Sequence, residues 1–192
     1  MIDVTQLPEE EKLARSKKQM MWFAIASLIM MFAGLTSAYI VSASRRDWVD
    51  FELPQEFYYS TGVILLSSLT LFLAKLSIKR DNIKGATIMT VLTLVLGTAF
   101  VYMQFAGFNT LTNQNIFFTG AGSSVSASFV YLIVVAHLAH IAAGLISLLI
   151  ITINMVRGKY TSKNHLGFEL GAIFWHFVDF LWIFLLSFLL FY

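Results

Sequence analysis

The 192-residue sequence contains no cysteine. Disulfides, thiolate metal sites and cysteine nucleophiles are excluded together. Proline is nearly as scarce: Pro8 and Pro54 are the only two, and both stand outside the long apolar runs. Helices without interior proline keep their hydrogen-bond ladders unbroken. Charge is the third shortage. Charged residues make up 12% of the chain, against roughly 25% in soluble domains. The net charge of +2 is too small to attract a nucleic acid, and no such partner is expected. What fills the space is 58% hydrophobic residues, 18 phenylalanines among them. The main solvent of such a chain is lipid.

The N-terminal stretch MIDVTQLPEEEKLARSKKQ is acidic first and basic afterwards. A secretory signal would start basic, turn apolar and end in small residues. Residues 1–19 are therefore expected to be a retained cytoplasmic tail, and residues 20–192 a single transmembrane domain.

A bilayer core takes roughly 20 apolar residues in a helix. Five runs qualify, at about 20–42, 57–74, 85–106, 125–154 and 169–192. Their backbone groups have no water to bond, so the runs are expected to be helices. The polar–apolar alternation of a membrane barrel is absent. The fold class is all-α: a polytopic bundle of five transmembrane helices. Direction follows from the basic residues. Eleven lie in the tail, in the second loop and between the last two spans, from Lys12 to Lys163. Only Arg45 and Arg46 lie in the alternate loops. The N-terminus is predicted inside and the C-terminus outside. The first outer loop, SRRDWVDFELPQEF, is amphipathic and is expected at the membrane interface or against a partner. The uncharged loop 107–124 reads as an outer cap. There is no internal repeat to support an inverted-repeat transporter.

Polar groups at membrane depth are the candidate site. His137 and His140 are three apart on the fourth span, and so nearly on one face. His176 and Asp179 stand near the middle of the fifth, with Glu169 at its start. Glu169 and His176 share a stripe, with Asp179 displaced by about 80°. Trp175 and Trp182, seven apart, form another stripe. Consecutive spans joined by a short loop are antiparallel neighbours. The prediction is a band of His137, His140, His176 and Asp179 near the midplane. An ionised aspartate there costs at least ~3 kcal/mol. Asp179 must face protein, water or a histidine, or stay protonated: it is a packing anchor bonded to a histidine or indole N–H, or a proton-handling group.

Three other chemistries were weighed on these residues. Bis-histidine haem needs facing ligands, whereas His137 and His140 share one helix. Zinc needs three or four ligands, which His137, His140, His176 and Asp179 could supply. A serine nucleophile at GAGSS, 120–124, would lie too far from the midplane histidines. An independent proton or ion transporter using His140, His176 and Asp179 stays open, as does a cytochrome b-like electron carrier. Small residues Gly34, Ser37 and Ala38 on the first span, and Gly144 on the fourth, permit close helix approach.

The segment FELGAIFWHFVDFLWIFLL resembles the last helix of subunit III of haem–copper respiratory oxidases, matching at Glu169, Trp175, His176, Phe177, Val178, Asp179 and Trp182. The segment AHLAHIAAGL is similar to that family's His-x-x-His pattern at His137, His140, Ile141 and Gly144. The first span resembles the family's first common helix at Ser27, Phe32, Ala33, Gly34, Leu35, Ala38 and Tyr39. The family often has seven helices, and the five here match its short bacterial form. It usually carries a glutamate after that serine, whereas Leu28 stands here. The resemblance implies a non-catalytic accessory subunit of a proton-pumping terminal oxidase, in the bacterial cytoplasmic membrane. It implies packing against catalytic subunit I, with subunits II and IV as further partners. Haem and copper would belong to partner subunits, and this chain would hold only structural phospholipids. Its role would be to support stability and proton uptake.

Overall fold

The computed structural model describes residues 8–46, 48–49, 51–120, 123–161 and 165–191. Five helices account for most of them: α1 (Glu9–Ser42), α2 (Gln55–Lys79), α3 (Ile83–Asn113), α4 (Val125–Val156) and α5 (Leu166–Phe191). Each is long and apolar enough to cross a membrane, and the described residues include no strand.

The helices outrun the apolar runs at both ends. At about 1.5 Å per residue, the 34 residues of α1 reach some 50 Å, well beyond a ~30 Å hydrocarbon core. The part of the tail from Glu9 onward is thus helical. Charges there pair along the helix, Lys12 with Glu9 at 3.0 Å and Arg15 with Glu11 at 2.9 Å.

Local chemistry sets the helix ends. Pro8 and Pro54 precede the first residues of α1 and α2. Asn82 and Ser124 cap α3 and α4, each accepting from a backbone N–H three residues on. Three C-termini close in one pattern. Asp81, Asn115 and Gly158 adopt φ of 60°, 61° and 69°. The amide of each bonds back to Ile78, Thr112 and Met155, and the next amide reaches one residue deeper. This double bond satisfies the last carbonyls of the helix.

The tightest pair is α2 with α3. Buried positions on α2 recur at intervals of three and four from Phe57 to Ile78, and on α3 from Ala86 to Leu111. That is the heptad spacing of two helices packed at a shallow left-handed angle. The seam is small and polar, as membrane interfaces favour. Gln104 donates to Ser60 at 2.8 Å, Thr70 and Thr93 bond at 2.8 Å, and Thr110 donates to Glu56 at 2.8 Å.

The first helix packs on α4 and α5 through Ile25, Phe32, Thr36 and Tyr39. Its small residues do something other than expected. Ser27, Gly34, Ser37 and Ala38 are exposed on the outer surface of the bundle, and a Cβ added at Gly34 would meet nothing within 4 Å. The bulky residues seven apart win the inward face, because they fill more of the space against α4 and α5.

The loop 43–54 also differs from expectation. It folds onto its own bundle. Trp48 meets Tyr39 edge-on at 4.8 Å, Val49 accepts a hydrogen bond from Ser126 of α4, and Phe51 and Leu53 pack on the core. Tyr39 also meets Phe129 and Phe188, so one ring joins α1, the loop, α4 and α5.

Candidate functional site

The fifth helix carries the polar groups, and α2 receives them. Trp175 Nε1 donates to Ser67 Oγ at 3.0 Å. Trp182 Nε1 donates to Thr61 Oγ1 at 2.9 Å. His176 Nδ1 lies 2.6 Å from Ser68 Oγ. Residue numbers rise along α5 as they fall along α2, so the two helices run antiparallel and meet in one fixed register.

Trp175 is also where four helices converge. Its ring occupies space that side chains at Gly97 of α3 and Gly144 of α4 would fill. A Cβ at either position would stand 2.7 or 2.9 Å from the indole. Gly144 therefore serves the tryptophan as much as any backbone approach. Gly171, at the start of α5, makes similar room for Ile151.

Trp182 stands one heptad further along. Phe57 and Phe100 meet it edge-on at 5.9 and 5.3 Å, and His137 stacks on it at 5.2 Å with 30° between the planes. His137 is wholly buried, and neither ring nitrogen has a hydrogen-bond partner. Its environment is aromatic throughout, with Phe32 and Phe100 at its edges. His140 is half-buried, and its Nδ1 donates to the carbonyl of Ala136 in its own helix at 2.7 Å. Phe32 packs edge-on against this ring too.

Asp179 is 2% exposed. Neither carboxyl oxygen meets a hydrogen-bond donor in proper geometry. Ser68 is the hydroxyl beside it, already engaged with His176. The expected histidine or indole partner is not there. Both indoles of α5 are committed to α2, and the α4 imidazoles are held among aromatic rings and a backbone carbonyl.

The predicted band thus separates into two groups. His137 and His140 belong to an aromatic cluster with Phe32, Phe100 and Trp182. His176 and Asp179 belong to a polar contact with α2. Glu169 joins neither. It lies toward the end of the bundle that bears the basic residues, bonded to Lys18 of α1 at 3.2 Å and near His165 at 3.5 Å. Among the described residues no three His, Asp or Glu side chains gather closely enough to hold a metal ion. The donors once grouped for zinc point to different neighbours, and the two α4 histidines do not face each other across helices as haem would need.

Sequence reasoning passed over Thr61, Ser67 and Ser68, and with them Gly97. A signal was available. Thr61 and Ser68 are seven apart on α2, as Trp175 and Trp182 are on α5. Matched heptads of donors and acceptors on two helices point to a facing pair.

Comparison with known proteins agrees with this arrangement. Residues 14–192 match the family model described as cytochrome c oxidase subunit III. The chain is 30% identical over 173 residues to cytochrome c oxidase subunit 3 of Alkalihalophilus pseudofirmus, covering 86% of this chain and 82% of that protein. It is 25% identical over 172 residues to quinol oxidase subunit 3 of Bacillus spizizenii, with the same shares of 86% and 82%. With probable cytochrome c oxidase subunit 3 of Rickettsia prowazekii it is 34% identical over 140 residues, 72% of this chain and 47% of that longer relative. With five membrane-length helices and a match that runs from the first of them to the last residue, the chain belongs to the cytochrome c oxidase subunit III family.

Proposed function

We propose that this chain is a non-catalytic subunit of a haem–copper terminal oxidase in a bacterial cytoplasmic membrane, with its N-terminus inside and its C-terminus outside. In this reading it packs on catalytic subunit I, beside subunits II and IV. Haem and copper reside in those partners. The observation that carries the reading is how α5 uses its polar groups. Trp175, Trp182 and His176 are all spent on holding α2, and His137 on a stack with Trp182. Such a site builds a rigid scaffold and leaves no donor set facing a substrate.

Two surfaces suit the scaffold role. The outward small residues of α1 let a neighbouring helix come close. Between α1 and α5 runs an apolar groove of about 460 Å³, lined by Phe32, Ala33 and Val41 on one side and Phe177, Phe180 and Phe184 on the other. Its width and lining fit a phospholipid acyl chain. Stable packing and a held lipid would sustain turnover and proton uptake in the partner subunit, with no redox step in this chain.

Purification of the chain in mild detergent tests the reading. Haem-bearing subunits should accompany it, and oxidase turnover should decay faster when it is removed. A chain that purifies alone and carries protons by itself in liposomes would replace this reading with that of an independent transporter.

A further inference from the structure

Asp179 is a buried carboxyl that the scaffold does not use. It stands at the midpoint of α5, 2% exposed, with both oxygens unpartnered. An ionised carboxylate in such a place is costly, and the charge is relieved when the group holds a proton. Beside it is the Ser68 hydroxyl, whose oxygen lies 2.6 Å from His176 Nδ1. His176 is half-buried, on the side of Asp179 nearer the basic end. Lys75, two turns along α2 from Ser68, is near enough to His176 to act on its charge. The order from the helix midpoint toward the basic end is therefore carboxyl, hydroxyl, imidazole.

We propose that Asp179, Ser68 and His176 form a proton relay, with Asp179 as the buried proton store and His176 as its exchange point toward the basic end. A hydroxyl is suited to the middle place because it both donates and accepts. In the outward step the Asp179 O–H proton passes to Ser68 Oγ, and the Ser68 proton passes to His176 Nδ1. A carboxylate and an imidazolium result. In the return step His176 gives its Nδ1 proton to Ser68, whose own proton restores the acid. Only the O–H and N–H bonds change, and the serine ends each step as it began. The relay goes beyond the oxidase-subunit reading and does not rest on it, since every member belongs to this chain.

Infrared spectroscopy of the full chain in lipid bilayers tests the relay. The chain has five aspartates, and Asp3, Asp47, Asp50 and Asp81 are numbered outside the five helices. Aspartates in water are ionised at neutral pH. Carbon-13 labelling of aspartate should therefore shift one protonated-carboxyl band, that of Asp179, in the unmutated chain. If no such band exists at neutral pH, the proposal is overturned. In heavy water the band moves as its O–H exchanges, and the rate of that move reads the relay. Ser68→Thr and Ser68→Val have nearly the same shape and differ in the hydroxyl. Exchange should stay close to the wild-type rate in Ser68→Thr and slow by roughly tenfold or more in Ser68→Val. Equal rates in the two variants would overturn the relay, because a purely structural serine would affect both alike.

Discussion

The indole N–H of Trp175 bonds the hydroxyl of Ser67 across the α2–α5 contact, at 3.0 Å and with no exposure to solvent on either side. This bond fixes the rotation of the tryptophan. The ring then needs two glycines, Gly97 and Gly144, to fit between α3 and α4. A hydrogen bond on one helix thereby sets what two others can carry.

Ser67→Ala leaves the buried indole N–H without an acceptor. The expected cost is about 1–2 kcal/mol, toward the lower part of the range for bonds inside membranes. Gly144→Ala gains helix propensity but drives a Cβ against the ring. Overpacking should exceed that gain and give a net loss of about 1–2 kcal/mol. The informative measurement is the double variant Gly144→Ala with Trp175→Phe, followed by thermal unfolding in detergent. The smaller ring relieves the clash, so the two losses should fall short of their sum by at least ~0.5 kcal/mol. Strict additivity would mean that glycine and indole do not meet.

Much of this fold could be read directly from the sequence. Length and hydropathy gave five spans, because lipid leaves the backbone few choices. The ends were read too short, since helices continue past the hydrocarbon wherever charges can pair or reach water, as at Glu9–Lys12. The inward face of α1 was misjudged for a related reason. Small residues mark places where helices can approach, but not which neighbour approaches. Ile25, Phe32 and Tyr39 took the inner side and left Gly34 outside. At the site, the residue types on α5 were legible and their partners were not. Serine and threonine on α2 read as neutral filler until the heptads of α2 and α5 are placed antiparallel.

The proposed direction in the membrane rests on the split of eleven basic residues against two. A reporter fused after Tyr192 should lie outside the cytoplasm, and one inserted near Lys79 inside. Both reporters on the same side would contradict the five-span topology.

Lys18 and Glu169 tie α1 to α5 at the basic end, with side chains 48% and 26% exposed. A pair so placed is screened, and Lys18→Ala should cost no more than ~1 kcal/mol. Lys18→Glu sets two carboxylates together and should cost more, chiefly at low salt. The exchange Lys18→Glu with Glu169→Lys should recover part of the loss. The recovery will be incomplete because His165 also lies against Glu169, at 3.5 Å. Unfolding temperatures at low and high salt decide this. If Lys18→Glu is neutral at low salt, the tie does not operate in the membrane.

Asp179 invites the opposite expectation for stability from the one its sequence suggests. An aspartate bonded to a histidine or an indole would be an anchor, and Asp179→Leu would strand its partner. Here no such partner exists. Ser68 keeps His176 whether or not the carboxyl is present, and Trp175 and Trp182 keep Ser67 and Thr61. Leucine replaces a buried, poorly satisfied polar group with an apolar one of similar size, a change that is often neutral or favourable. Asp179→Leu should leave thermal stability and retention among co-purifying subunits within about 1 kcal/mol of wild type, or raise them. Asp179→Asn keeps a polar group in the same apolar place and should be the less stable of the two. A loss of about 3 kcal/mol or more in Asp179→Leu, with Asp179→Asn unaffected, would restore the anchor reading. The expected order separates the two roles of α5. Its tryptophans and His176 hold the bundle together, while its carboxyl can be removed from the fold without loosening it.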